Sequence, residues 1–314
     1  MTIQIAIIEE PDEHLAERLR AEVPGIVVHA GKTEAEILPH CANAQVLMGL
    51  AQSITPVMVN AATGLKWVQA LTTGVDPLKA MKELDPNIPI TSGRGIHGPQ
   101  MSELAFLYML NFAREIRTVL HDQQTANFER RPQRLLWNKT AVIVGVGVIS
   151  EDLARCCKAF GMNVIGVSSR ASAPNFDRMF SRNQLKEAAA LADFLIAVLP
   201  LTPDTKGLID GAVLDCMPRH GVFINIARGP VVKEDELIDR LQRKVIAGAG
   251  LDTFVEEPLP ASSPLWSMDN VIITPHIGGK SESYVEQIMP LIVHNVRAFQ
   301  EGRMQDFKNR VERS

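Results

Sequence analysis

Apolar positions along this chain follow two periods, and the periods take turns. Compact apolar runs bounded by glycine, proline or polar clusters alternate with longer stretches whose apolar residues return at helical spacing. In the first third, Ile3–Ile8, Ile26–His29, Ala44–Gly49, Lys66–Ala70 and Ile88–Thr91 read as strands. Pro11–Glu22, Thr33–His40 and Pro56–Ala62 read as helices, with proline opening the first and the last, where a missing N–H costs nothing. The chain then turns loop-like through Ser92-Gly-Arg-Gly95 and His97-Gly-Pro99. One long helix is predicted from Gln100 to about Val119, with Met101, Leu104, Ala105, Tyr108 and Met109 on one face. Gln123–Arg134 is polar and charged and reads as an exposed excursion.

Beyond it, Thr140–Val144 is strand-like, Glu151–Phe160 helical and Asn163–Val167 strand-like again. The alternation continues through Phe194–Leu199, Gly211–Met217, Gly221–Ile224, Lys233–Leu241, Ala247–Leu251 and Val271–Ile273. It closes with an amphipathic helix from Ser283 to about Gln300 carrying Ile288, Leu291, Ile292 and Val296 on one side. Strands that are apolar throughout and alternate with helices belong in parallel sheets covered on both faces, so the expected class is α/β, doubly wound.

Three of the later runs end in chemically capable residues. Gly221–Ile224 leads into Asn225-Ile-Ala-Arg228-Gly229, Ala247–Leu251 into Asp252 and then Glu256-Glu257-Pro258, and Val271–Ile273 into Thr274-Pro-His276-Ile-Gly278-Gly279. Ligands of open α/β sheets bind beyond the carboxyl ends of the strands, so Arg228, Glu257 and His276 are expected to face one crevice. A guanidinium grips a carboxylate through two parallel hydrogen bonds, and an imidazole paired to a carboxylate delivers a proton near neutral pH. The set suits reduction of a carbonyl beside a carboxylate, given a hydride.

The donor is signalled upstream. The strand Thr140–Val144 runs into Gly145-Val-Gly147-Val148-Ile149-Ser150 and a helix, and a second strand follows. This is a βαβ unit with a nearly complete dinucleotide fingerprint. The first glycine permits the tight turn, the second lets backbone approach the pyrophosphate, and the helix N-terminus offers N–H groups to it. Ser150 stands where the third glycine belongs and is small enough, with some strain, to keep helix and strand close.

Composition fits and excludes. The 314 residues suffice for two domains, and a 46% hydrophobic, 22% charged chain is globular in character. A net charge of −4 gives no electrostatic reason to expect nucleic acid. No apolar run spans a bilayer, so no membrane role is expected, and Met1-Thr2-Ile3-Gln4-Ile5 begins a strand rather than a signal peptide. Cys41, Cys156, Cys157 and Cys216 lack metal-ligand or framework spacing, so the expected compartment is a reducing cytoplasm and no metal is expected.

Several stretches in order carry a family likeness. They are Leu71-Thr-Thr73-Gly74-Val75-Asp76, Met101-Ser-Glu103, the glycine turn with Phe160-Gly161-Met162, Leu199-Pro200-Leu-Thr-Pro203 with Thr205, Asn225–Gly229, Leu251-Asp252, Glu257-Pro-Leu259 and Thr274–Gly279. The chain resembles the D-isomer-specific 2-hydroxyacid dehydrogenases, which include glyoxylate/hydroxypyruvate reductases, phosphoglycerate dehydrogenase and D-lactate dehydrogenase. The resemblance implies two doubly wound parallel-sheet lobes, Rossmann- and flavodoxin-like, with an interlobe cleft. The substrate lobe would be residues 1–98 plus 282–314 and the dinucleotide lobe 99–281, with the helix from Gln100 and the segment near residue 282 as hinges. It also implies a homodimer built through the cofactor lobe.

By the same resemblance Arg228 binds the carboxylate of a small 2-keto or 2-hydroxy acid and polarises its C2 carbonyl. His276 is general acid in reduction and general base in oxidation. Glu257 orients His276 and favours its protonated form, Glu256 being the competitor for that role, while His97 is not expected to act. Thr73 and Gly74 offer backbone N–H groups to the substrate. Implied cofactor contacts are Gly145, Gly147, Val148, Ile149, Ser150, Leu199, Pro200, Thr205, Ile226, Ala227, Gly278 and Asp252, the last near the nicotinamide carboxamide.

Cofactor choice turns on the end of the second strand, Val167-Ser168-Ser169-Arg170. An acidic residue there bonds the ribose hydroxyls of NAD(H). Here Ser168 takes the acidic slot and Ser169 and Arg170 are placed to receive a 2′-phosphate, so NADP(H) is expected to be preferred, with NAD(H) as a second cofactor. Glu151 and Asp152 in the first helical turn would disfavour a neighbouring pyrophosphate. That keeps a second reading open, a non-catalytic dinucleotide-sensing scaffold of the same fold, which the short termini argue against. Such a scaffold would bind cofactor yet turn over no 2-keto acid. A formate dehydrogenase, of the same fold, carries glutamine where Glu257 stands.

Overall fold

A computed structural model describes residues 2–9 and 14–312. The expected helix start at Pro11, like Met1, lies outside the described residues. The chain divides into two compact units, one formed by residues up to Ile96 together with the chain from Ser281 onward, the other by His97–Lys280. The chain passes between the units at Ile96/His97 and at Lys280/Ser281.

The first unit opens with β1 (Ile3–Ile8), α1 (Leu15–Glu22), β2 (Ile26–Gly31), α2 (Glu34–Cys41), β3 (Val46–Gly49), α3 (Pro56–Ala61), β4 (Trp67–Ala70), α4 (Asp76–Ala80) and β5 (Ile90–Thr91). Its strands form one parallel sheet in the order β2-β1-β3-β4-β5, the flavodoxin-like winding. Two helices begin where threonine caps them: the Thr33 and Thr55 hydroxyls accept from the Glu36 and Met58 N–H groups. The loop after β4, Leu71 to Val75, is held at the carboxyl end of this sheet. Gly93 N–H donates to the Thr72 carbonyl, and the Tyr284 hydroxyl donates to the Leu71 carbonyl.

The second unit comprises α5 (Gly98–Ala113), α6 (Ile116–Gln124), β6 (Thr140–Val144), α7 (Val148–Ala159), β7 (Asn163–Val167), β8 (Arg178–Phe180), α8 (Leu185–Ala189), β9 (Phe194–Ala197), α9 (Gly211–Leu214), β10 (Val222–Asn225), α10 (Glu234–Gln242), β11 (Gly248–Leu251) and β12 (Val271–Ile273). All its strands are parallel, in the order β12-β11-β10-β9-β6-β7-β8. Winding reverses between β6 and β9, a topological switch point where doubly wound folds take ligands. Apolar side chains fill both faces of the sheet: α5 and α7 cover one, and α8, α9 and α10 the other. The last helix, α11 (Tyr284–Gln300), returns to the first unit and buries Ile288, Ile292 and Val296 beside Trp67 and Leu71.

Both units are therefore the α/β class expected. The single helix predicted from Gln100 to about Val119 is instead two. It breaks at Glu115, whose φ of 48° is left-handed and cannot continue a right-handed helix. The new direction lets Arg117 donate to the carbonyls of Met268, Asp269 and Val271 at 2.7–3.1 Å. Also unforeseen are α4, β8 and α8, all of five residues or fewer and too short to display a period. No helix among the described residues is long and apolar enough to cross a membrane.

Candidate active site

The glycine turn after β6 sits at the switch point. Gly145 has φ +91°, and a Cβ there would lie 2.6 Å from Leu199 Cβ, so conformation and contact both demand glycine. A Cβ on Gly147 would meet nothing within 4 Å, leaving its backbone open to a ligand. Ser150 is fully buried, and its hydroxyl donates to the Gly145 carbonyl at 2.6 Å. The expected strain is absent there: Ser150 lies inside α7, where the requirement is room and a partner for its hydroxyl. Val148 is exposed and Ile149 half-buried in the first turn of α7. An open backbone at the N-terminus of a twelve-residue helix fits a pyrophosphate.

Beyond β10, Asn225 folds back on its own loop. Its amide donates to the Arg228 carbonyl at 3.1 Å, and its side-chain oxygen accepts from Ala227 N–H at 3.1 Å. Arg228 is half-buried, with Nη1 on the Ala227 carbonyl at 2.6 Å. Ile226 and Ala227 are buried. Gly229 follows because a Cβ would fall 1.9 Å from the Phe254 carbonyl group, so this loop is pressed against the one that carries Glu257.

Glu257 uses both carboxylate oxygens. Oε1 accepts from Phe254 N–H at 2.9 Å, and Oε2 is 2.7 Å from His276 Nδ1. Burial pushes its carboxyl up, but the His276 and Phe254 hydrogen bonds and the charges of His276 and Arg228 outweigh it, leaving the group below its ordinary value. An ionised carboxylate only accepts, so Nδ1 carries the hydrogen and Nε2 is left for a reacting oxygen. Glu256 takes no part in these contacts.

The loop bearing His276 is tied down by Asp252, at the end of β11. Asp252 Oδ1 accepts from Thr274 Oγ1 at 2.5 Å and from Ile277 N–H at 3.0 Å, and Oδ2 accepts from Gly278 N–H at 3.0 Å. His276 adopts φ 52°, a strained value for a side-chain-bearing residue. Hydrogen bonds to a charged acceptor are worth about 1.5–3 kcal/mol each, enough to hold that turn. Gly278 leaves room for its neighbours: a Cβ would lie 2.7–2.9 Å from Leu104, Met101 and the hydrogen-bonded Asp252 carboxylate, so those side chains would have to shift. Thr274 gives its proton to Asp252, so Tyr108, buried on α5 with its hydroxyl 2.5 Å from Thr274 Oγ1, must donate to Thr274. Burial, reinforced by the charge of Asp252, raises the Tyr108 hydroxyl pKa and keeps it a donor. This chain from α5 through Thr274 to Asp252 has no local sequence signal.

The remaining residues fall into place more simply. His97, at the start of α5, is buried; that burial and then the Arg228 charge pull its pKa down to about 4, so it is neutral near pH 7 and no proton donor there. Thr205 is buried, its hydroxyl donating to the Pro200 carbonyl at 2.7 Å, and it braces the loop after Leu199. Ser168 is half-exposed at the end of β7, with Ser169 and Arg170 exposed after it. Arg170 Nη1 lies 2.5 Å from Glu151 Oε1, a pairing across 19 residues that the sequence alone does not display. Thr73 and Gly74 belong to the first unit, half-buried in the loop after β4.

A doubly wound parallel sheet with a glycine turn at its switch point, and an arginine with a carboxylate–imidazole pair at its strand ends, describes a dinucleotide-dependent oxidoreductase. A family model for the NAD binding domain of D-isomer specific 2-hydroxyacid dehydrogenases matches residues 106–278. The chain belongs to that family. It superposes on a D-isomer specific 2-hydroxyacid dehydrogenase family protein from Aeromonas salmonicida with a TM-score of 0.93 at 28% identity, covering 100% of both chains. The crystal structure of an NADPH-dependent glyoxylate/hydroxypyruvate reductase from Sinorhizobium meliloti, in complex with NADP and sulfate, gives 0.84 at 27% identity, covering 99% of this chain and 98% of that one. In sequence the chain is 30% identical over 268 residues to a glyoxylate reductase of Thermococcus onnurineus, 81% of this chain and 79% of that protein. It is an enzyme that moves a hydride between a nicotinamide cofactor and the C2 carbon of a 2-keto or 2-hydroxy acid.

Proposed function

We propose that the protein reduces a small 2-keto acid to the D-2-hydroxy acid, with NADP(H) preferred over NAD(H) and glyoxylate and hydroxypyruvate as the leading substrates. The observation that carries the reading is the 2.7 Å His276–Glu257 pair beside Arg228. The cofactor preference is supported by Ser168-Ser169-Arg170 and by the NADPH-dependent reductase among the structural relatives. The substrate guess is supported by Glu257-Pro-Leu-Pro260 followed by Ser263-Pro-Leu-Trp266, and by the glyoxylate reductases among the sequence relatives.

The turn at Gly145 and Gly147, with the N-terminus of α7, would hold the cofactor, and Asp252 and the Ala227 carbonyl would face its carboxamide. Bound there, the reduced nicotinamide supplies a hydride to C2. Arg228 grips the substrate carboxylate and polarises the carbonyl. His276 gives its Nε2 proton to the forming alkoxide, and Glu257 stabilises the imidazolium from the opposite nitrogen. In oxidation Nε2 takes the proton back.

The assembly is a homodimer in this reading. Leu107, Val119, Leu120, Phe128, Leu135 and Trp137 are exposed on α5, α6 and the segment after them, an apolar surface of the kind a partner covers. The reading also puts the enzyme in the cytoplasm, a reducing compartment in which the four free cysteines would stay thiols.

A panel of 2-keto acids with NADPH and with NADH, followed by loss of reduced-nicotinamide absorbance, tests the reading. Glyoxylate or hydroxypyruvate with NADPH should give the highest kcat/KM. Cofactor binding with negligible turnover of every acid would support the scaffold instead. Glu257→Gln should lower kcat for reduction by roughly tenfold, the equivalent of one charge-assisted hydrogen bond to the imidazole, with KM little changed. A neutral amide brings no charge to the imidazolium and can turn its NH2 toward Nδ1, which spoils the tautomer that leaves Nε2 for the substrate. A wild-type kcat would remove Glu257 from the chemistry.

A further inference from the structure

The end of β7 and the start of α7 are joined by one ion pair. The Ser168-Ser169-Arg170 turn is fixed by backbone: Ser168 N–H donates to the Phe180 carbonyl at 3.0 Å, and Arg170 N–H to Ser168 Oγ at 3.2 Å. From that turn the Arg170 guanidinium reaches back to Glu151 Oε1 at 2.5 Å. Glu151 sits in the first turn of α7, its N–H on the Gly147 carbonyl at 2.9 Å. Its neighbour Asp152 faces elsewhere, bonded to Ser102 at 2.9 Å and to Arg155 at 2.7 Å. Of the two adjacent acids, only Glu151 is turned on the strand end. Arg178 on β8 stands 4.1 Å over the Phe180 ring, and Lys158 is bonded to Asp177 at 2.8 Å. Arg170 is thus the cation this turn presents.

We propose that Glu151 is a specificity-determining residue, a resident anion that competes with the 2′-phosphate of NADP(H) for Arg170. The proposal rests on the reading of Ser168–Arg170 as the phosphate receptor. A 2′-phosphate brings close to two negative charges and needs the guanidinium's donors. To gain them it must draw Arg170 away from Glu151 or bind beside a carboxylate that repels it. NAD(H) has no such group and meets no such competition. Glu151 therefore weakens NADP(H) binding selectively and narrows the margin between the two cofactors. A glutamine keeps the size and a hydrogen-bonding end, and removes the charge.

The test is equilibrium binding to the full-length protein. Nicotinamide fluorescence titrations would give Kd for NADPH and NADH, and calorimetry would give Kd for 2′,5′-ADP and 5′-AMP, in wild type, E151Q, R170A and the double variant. E151Q should tighten NADPH and 2′,5′-ADP by about tenfold, the scale of one charged contact, while NADH and 5′-AMP change by less than about threefold. Both partners of the pair are partly exposed, so the gain should shrink as salt rises. In the R170A background E151Q should still favour NADPH, but only through relief of direct repulsion, a part that fades with salt. Weaker NADPH binding by E151Q would make Glu151 a brace for Arg170 and overturn the proposal. Equal gains for both cofactors would reduce it to general charge and also overturn it. If R170A collapses the NADPH-to-NADH ratio but E151Q does not raise it, the receptor reading stands and the competition falls. If R170A leaves that ratio unchanged, the receptor reading itself falls, and the competition with it.

Discussion

His276→Ala should lower kcat for 2-keto acid reduction by roughly 10²–10⁴-fold, the range that a positioned general acid supplies. The site explains why no neighbour replaces it. His97, the other histidine near Arg228, has its pKa pulled down to about 4 and carries no acidic proton near pH 7. Glu257 is held below its ordinary value and is ionised there too. Tyr108 is a buried donor, but its proton is committed to Thr274. Cofactor affinity, measured by nicotinamide fluorescence, should stay within about threefold of wild type, because the glycine turn and the end of β7 lie on other strands of the sheet. Rates close to wild type would show that the His276–Glu257 pair is structural.

Arg228→Lys should cost about 3 kcal/mol in kcat/KM, roughly a hundredfold or more, far beyond what the preserved charge suggests. A lysine ammonium is a point donor and cannot reproduce the planar two-bond grip on a carboxylate while also polarising a carbonyl. The native arginine is further aligned by its neighbours: Nη1 is anchored on the Ala227 carbonyl at 2.6 Å, and Asn225 holds the Arg228 carbonyl at 3.1 Å. Lysine can keep neither the fork nor its alignment. The loss should appear in both KM and kcat, since the same group binds the ground state and stabilises charge forming on the carbonyl oxygen. Near wild-type kinetics with lysine would reassign Arg228 to the folding of its loop.

Both predictions rest on residues readable from sequence, for a common reason. Arg228, Glu257 and His276 each follow an apolar run, and a parallel sheet brings the carboxyl ends of its strands together. Pattern and topology therefore sufficed to join them. What escaped the sequence depends on distance along the chain. Tyr108 meets Thr274 across 166 residues, and nothing near either marks the partner. Asp252 reads from sequence as facing a cofactor, and the bonds by which it also holds the histidine loop leave no mark there. Nothing in the sequence joins Glu151 to Arg170, because their 2.5 Å contact exists only once the glycine turn has set α7 beside β7. The break at Glu115 was hidden by an apolar period that continues past it.

Ser150 has a consequence for how such chains drift. Gly145 is held by a backbone angle and by Leu199, and no side chain satisfies both. The third position is held only by available room, and serine fills it by handing its hydroxyl to the Gly145 carbonyl. The turn therefore has one locked site and one negotiable site five residues apart. Descendants of this chain can exchange serine, alanine and glycine at 150 without reshaping the turn, while any exchange at 145 has to rebuild the switch point around it.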